Sequence, residues 1–429
     1  MLALKIYKTM SKTTAQQLQR TQVTALQLGA LSPAQKNRVL LAVGKALWKK
    51  RSIILAANQL DLAAVPKDYP MHDRLSLNSD RIAAMVKSLQ AVAKLPDPVG
   101  EILETQRRPS GITVQRRRVP FGVIGVIFEA RPNVAMEVWS LTFKTGNAVV
   151  LKGGRDAEHT VAALVKLIHN VLRSYQLSTD CIAVLNPRDA AAITTLLTAR
   201  GLVDVIIPRG GQRLIEYVRT TATIPVIETG AGVCHTYVEK TADLKKAVNI
   251  VVNAKTRRCT VCNALDCLVV DQAIIRKFLP LLAKALAPRL VELRADAASY
   301  KVLQQYYPKP LLRQACAADY HTEFLAMRLA IKTVPNAKTA FLFIQATTSQ
   351  HSEAIVTRNQ QLAQQFCDTI DAAAVYVNTS TAFTDGFEFG LGAEIGIATQ
   401  KLHARGPMGL TALTTYKWII TSQGAVRRS

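Results

Sequence analysis

A chain of 429 residues is long for one hydrophobic core and predicts two to three domains of roughly 150 residues each. With 49% apolar and 20% charged residues it is not a disordered or fibrous chain, and no stretch reaches the roughly 18 apolar residues that a membrane helix needs. Seven cysteines, an odd number, without a secretory signal predict reduced thiols in a soluble, cytoplasmic protein, while 54 Lys and Arg against 30 Asp and Glu give a net charge of +24. The basic clusters at 49–51, 107–108, 116–118, 257–258 and 427–428 are dispersed, and only 6% of residues are aromatic. That pattern reads as solvated charge attracting phosphate-bearing ligands, not as a specific nucleic-acid-binding module.

Residues 1–60 hold no Asp or Glu and ten Lys or Arg, as transit peptides do. Apolar spacing over 34–62 after Ser32-Pro33 predicts instead an ordinary capped helix, leaving only the first dozen residues as removable. A second amphipathic helix is predicted over 75–95, closed by the breaker PDPVG. At 112–119 the alternation of ITVQRRRV predicts half of a β-hairpin.

The apolar runs VIGVIF (123–128) and AVVLK (148–152), with a helix over 134–144 between them, make a βαβ unit. Helices over 160–172 and 190–197 and strands at 182–185, 203–207, 225–227 and 236–238 continue the pattern. Such alternation predicts a doubly wound, mostly parallel sheet with ligands at the carboxyl ends of its strands. The fingerprint GxGxxG is absent. Two strand-to-helix glycine pairs, KGGR (152–155) and PRGG (208–211), can bring backbone amides close to phosphate.

A second α/β pattern is predicted from 233 to 384, with helices at 244–253, 274–285 and 361–370 and strands at 267–270, 329–334 and 373–377. It contains TRRCTVCNALDCL (256–268). Cys262 there is the candidate nucleophile, beside Arg257, Arg258, a second thiol at Cys259 and the amide of Asn263, because cationic neighbours favour the attacking thiolate. The CTVC spacing admits a zinc site or a redox disulfide between Cys259 and Cys262. A structural zinc site needs four ligands and no second CxxC exists, so no metal is expected. A glycine-rich loop spans 383–409, and the C-terminal TALTTYKWII alternates like an edge strand.

GVIGVIFEARPNV, FKTGNAVVLKGG, VIIPRGGQRLI, PVIETGAG, NAKTRRCTVCNALD, HSEAIVT, DAAAVYVN and FTDGFEFGLGAEIGIATQKLHARGPMGL resemble, in this order, the gamma-glutamyl phosphate reductases of the aldehyde dehydrogenase superfamily. The resemblance implies an α/β, aldehyde dehydrogenase-like fold of two doubly wound domains plus a β oligomerisation element. Residues 1–105 and 122–231 would bind NADP, 232–405 would carry Cys262, and 106–121 with 406–429 would build a homodimer or tetramer. It implies NADPH-dependent reduction of L-glutamyl 5-phosphate through a Cys262 thioester, with glutamate 5-kinase as a possible partner.

Residue by residue, it implies that Asn133 and the Cys262 amide hold the oxyanion. Lys152, Gly153, Gly154 and Arg155 would hold the adenosine ribose and its 2′-phosphate, Gly210 and Gly211 the pyrophosphate, and Glu323 the nicotinamide ribose. Glu228 takes the place of the general base of aldehyde-oxidising relatives. The chain departs from the family pattern at Cys259, Thr260, Val233, Ala326 and Ala382. The last replaces an arginine in a loop expected near the substrate's carboxylate or phosphate.

Overall fold

Six buried residues in a row, Val123–Phe128, form the inner strand of a four-stranded parallel sheet in a computed structural model that describes residues 12–66, 69 and 71–427. Its order is Ile182–Val184, Ala148–Lys152, Val123–Phe128, Val205–Arg209. The first three strands step outward and the fourth returns to the far side of Val123–Phe128. The order therefore reverses between Val123–Phe128 and Val205–Arg209, and the loops after those strands open a crevice at their carboxyl ends. Helix Val134–Lys144, buried along its whole length, connects the first two strands.

This sheet belongs to the first of two compact units, Met1–Thr229 with Gly390–Gly396 and Met408–Ser429. A second sheet of that unit is antiparallel, in the order Ile102–Arg107, Thr113–Pro120, Thr414–Thr421. The expected hairpin and edge strand are thus one sheet, with Trp418 paired to Arg116 and Lys417 to Arg117.

The other unit, Gly230–Phe389 with Ile397–Pro407, is built on seven parallel strands. Their order is Leu312–Gln314, Glu292–Ala295, Arg328–Val334, Leu265–Asp271, Cys234–Val238, Ser352–Val356, Ala374–Val377. Side chains alternate between its faces. Leu268 and Val270 enter one apolar cluster with Phe278, Leu282 and Leu293, while Cys267 and Val269 enter another with Tyr237, Phe341 and Phe366.

Several local expectations are corrected. The helix over 34–62 is two, Pro33–Lys49 and Arg51–Ala63, parted at Lys50, though the Ser32 cap and its capping box with Gln35 stand. The helix over 75–95 is His72–Leu75 followed by Ser79–Lys94, which Asn78 caps. The strand at 225–227 reduces to one bridge from Val226 to Ile206. Three strands, Glu292–Ala295, Leu312–Gln314 and Ser352–Val356, were not expected. A removable leader over residues 1–11 lies outside the described residues.

Candidate active site

In the second unit, Cys262 stands in the turn between helix Leu244–Thr256 and strand Leu265–Asp271. It is at the amino edge of its sheet, whereas the glycine pairs Gly153-Gly154 and Gly210-Gly211 of the first unit are at carboxyl edges. A buried ion pair closes the base of this turn: Lys255 Nζ lies 3.2 Å from Asp266 Oδ1, one residue on the helix and the other on the strand. Burial raises the Asp266 carboxyl to about 6 against the pull of Lys255. The same carboxylate accepts from Phe324 N at 3.3 Å, tying in the segment that carries Glu323.

Backbone contacts fix the cysteine itself. A Cβ on Gly232 would fall 1.6 Å from the Cys262 carbonyl oxygen, so only glycine lets the two segments meet. Gly232 N donates to Glu323 Oε1 at 3.1 Å, which places Glu323 beside the segment that leads into strand Cys234–Val238. Cys234 Sγ donates to the Cys262 carbonyl at 3.2 Å. Burial, then the charge of Glu353, pushes the Cys234 thiol well up, so it stays a neutral donor and not a competing nucleophile.

On the other side, Asn263 Nδ2 donates to the Ala382 and Thr384 carbonyls at 3.2 and 3.0 Å, and Thr381 Oγ1 donates back to the Asn263 carbonyl at 2.8 Å. Ala382 is itself buried. Arg257 and Arg258 are exposed and Cys259 is partly so. All seven cysteines are free thiols.

In the first unit, Lys152 ends a strand. Its ammonium lies 3.3 Å from the Pro187 carbonyl, and burial, then the neighbouring Arg155, lowers its pKa. Next to it opens a cavity of about 360 Å³ lined by Gly153, Gly154, Glu158, Val161, Leu185 and Pro187, among others. The backbone of the glycine pair is closely packed: a Cβ at Gly153 would meet the Phe128 ring at 3.2 Å and one at Gly154 would run into the Asp156 carboxylate.

At the switch point, Gly211 N at the start of helix Gln212–Thr221 donates to Glu129 Oε2 at 3.0 Å. The turn thus presents its amide to an anionic oxygen. A Cβ on Gly210 would meet the same oxygen at 2.4 Å. Asn133 begins helix Val134–Lys144, and its side-chain amide donates to Glu137 Oε1 at 2.8 Å. Glu228 is partly buried in the segment after the Val226 bridge.

The structure thus lines one cavity with Gly153 and Gly154, which Lys152 and Arg155 flank in sequence, and sets Gly210 with Gly211 at the switch point of the same sheet. Cys262 and Glu323 both lie against Gly232 in the second unit. Sequence reasoning missed the supports of Cys262. Of these, Gly232 and Cys234 had stood within or just after PVIETGAG with no signal of their own beyond the paired glycines.

An aldehyde dehydrogenase family model matches residues 4–297. The gamma-glutamyl phosphate reductase of Bacteroides fragilis is 48% identical over 407 residues, covering 95% of this chain and 98% of its own. The crystal structure of the gamma-glutamyl phosphate reductase of Thermotoga maritima superposes with a TM-score of 0.91 at 39% identity, over 97% of this chain and all of that one. At 17% identity, the glyceraldehyde-3-phosphate dehydrogenase of Methanocaldococcus jannaschii, solved with NADP, shares the fold with a TM-score of 0.70, over 96% of this chain and 94% of its own. By the family model and the identity to these two reductases, the chain belongs to the gamma-glutamyl phosphate reductases of the aldehyde dehydrogenase family.

Proposed function

We propose that the chain reduces L-glutamyl 5-phosphate to L-glutamate 5-semialdehyde, the second step of proline synthesis from glutamate. The observation that carries this reading is 48% identity across 95% of the chain to a relative bearing the activity's name. The backbone lock on Cys262 accords with it.

In the forward direction the Cys262 thiolate attacks the C5 carbonyl of the acyl phosphate. The C–O bond to phosphate breaks, inorganic phosphate leaves with the electron pair, and a thioester remains on Cys262. NADPH, when bound, supplies the hydride that turns the thioester into the aldehyde, with the Cys262 thiolate as leaving group. Negative charge develops on the carbonyl oxygen at both stages, and the Asn133 side-chain amide with the Cys262 N–H are its donors. The Cys234 and Gly232 contacts hold the Cys262 backbone so that its N–H and thiol keep one geometry.

For the cofactor, the cavity beside Gly153 and Gly154 fits an adenosine. Lys152 would hold the ribose, Arg155 a 2′-phosphate, the Gly210-Gly211 turn the pyrophosphate, and Glu323 the nicotinamide ribose. Glu228 is not used as a base here, because water attack on the thioester would waste the substrate. The exposed edge strand Thr414–Thr421 supports assembly into a homodimer or tetramer. The labile acyl phosphate makes a cytoplasmic glutamate 5-kinase the fitting partner.

The test is NADP⁺ reduction by glutamate 5-semialdehyde with and without phosphate. Turnover that requires phosphate supports the reading. Equal turnover without phosphate would make the protein an aldehyde-oxidising dehydrogenase, with Glu228 as its base.

A further inference from the structure

One acid lines the cavity assigned to adenosine. Glu158 opens helix Glu158–Ser174, and its Oε2 accepts from Arg188 Nε at 2.9 Å. Other acids nearby are held by the protein, among them Asp61, whose Oδ1 accepts from His159 N at 2.9 Å. Asp189 Oδ1 accepts from Ala191 N at 2.9 Å, capping a helix, and Asp156 Oδ2 accepts from Tyr69 OH at 3.1 Å. Arg188 follows Pro187, whose side chain helps line the cavity and whose carbonyl holds Lys152. The pair therefore sits beside the residues assigned to the ribose.

A free carboxylate at the ribose edge accepts hydrogen bonds from the 2′-hydroxyl and repels a 2′-phosphate. A carboxylate held by a guanidinium does both less strongly, because its charge is neutralised locally and one of its two oxygens is engaged. We infer that Arg188 is a positioning residue for nucleotide choice: by holding Glu158 in an ion pair, it lets the cavity take the 2′-phosphorylated dinucleotide. The inference deepens the proposed function and rests on its assignment of the adenosine cavity. It adds a residue in the loop after Ile182–Val184 to the cations, Lys152 and Arg155, on the neighbouring strand end.

The pair is largely solvent-exposed on the Arg188 side, 66% against 27% for Glu158, so its removal is not expected to unfold the chain. The experiment is fluorescence titration of the full-length protein, without substrate, with NADPH and with NADH. It compares the native protein, Arg188→Gln, Glu158→Gln and the double variant, with thermal melting as a control for folding.

Arg188→Gln is expected to weaken NADPH binding about tenfold and to leave NADH within about twofold. Glu158→Gln added to Arg188→Gln is expected to restore most of the NADPH affinity. Equal effects on both dinucleotides, or none, would overturn the inference and leave a surface ion pair. An NADPH loss that the double variant does not restore would overturn the role of Glu158. If the native protein binds neither dinucleotide, the adenosine assignment fails first and the inference falls with it.

Discussion

Gly232 and Cys262 constrain each other through backbone atoms, which makes Gly232 an exacting position beside the proposed nucleophile. Gly232→Ala must move the Cys262 carbonyl, since its new Cβ would lie 1.6 Å from that oxygen. A displacement of about 1 Å at a reacting group costs on the order of 100-fold in rate. The expected result is that kcat falls by that order while NADPH affinity, to which Glu323 beside Gly232 would contribute, falls less. Steady-state kinetics beside a nucleotide titration check it. Asn263→Ala leaves the buried Ala382 and Thr384 carbonyls without their donor. It should lower unfolding stability by about 1–3 kcal/mol in a urea titration. Cys262 itself was legible from TRRCTVCNALD, because its neighbours in sequence carry the motif. Its supports were not, because Gly232, Cys234 and Glu323 reach the turn across 28 to 61 positions of chain that no local spacing reveals.

Strands Cys234–Val238 and Ser352–Val356 lie side by side, and at the amino end of each stands a buried histidine, the two opposite in character. Burial alone would lower His235, but Glu353 at 3.0 Å, with Cys267, outweighs it and raises the imidazole to about 10. His351 has no such charge, and burial lowers it to about 4. The signs differ accordingly. His235 contributes stability fully present below its unfolded pKa near 6.5 and lost as pH rises toward 10. His351 lets stability fall as pH drops from about 6.5 to about 4, because the unfolded chain takes a proton that the native site refuses.

Urea midpoints should therefore decline on both sides of neutrality. His351→Gln should flatten the acid limb, while His235→Gln, which leaves Glu353 buried and unpaired, should cost about 3–5 kcal/mol at pH 7. The same pair explains a strand hidden in the sequence. SEAIV is buried at every position, yet it opens with Ser and Glu, and those polar letters conceal a core strand because Glu353 is satisfied by His235, by the His235 N–H and by Thr348. ELRA and LRQ were hidden for a different reason, being short and arginine-bearing at one side of the sheet. VIGVIF and AVVLK were plain because burial on both faces leaves an unbroken apolar run.

Across the molecule, the alternation of apolar runs with amphipathic helices made the fold class legible, whereas the division of the chain did not follow from it. Residues Gly390–Gly396 and Met408–Ser429 rejoin the first unit through contacts distant in sequence, such as Arg209 with the Ile395 carbonyl and Ile395 N with the Met408 carbonyl. The edge strand Thr414–Thr421 exposes Tyr416, Trp418 and Ile420 at alternate positions, so they share one face, and Arg116 lies over the first two rings at 5.1 and 5.8 Å. If this sheet carries the proposed assembly, Trp418→Glu should shift the mass measured by light scattering toward the single chain. The charge of +24 meets anionic substrate and cofactor alike. Raising ionic strength from about 20 to 300 mM should lower kcat/KM several-fold, mainly through KM, as screening shortens the reach of that field.

The central claim is the thioester on Cys262, and a rapid-mixing experiment without phosphate tests it most directly. Protein mixed with NADP⁺ and glutamate 5-semialdehyde should release one NADPH per chain in a burst and then stall as the acyl-enzyme accumulates. Later addition of phosphate should discharge the thioester to the acyl phosphate and restore turnover, and Cys262→Ala should show neither phase. Phosphate-dependent turnover that survives in Cys262→Ala would contradict the account.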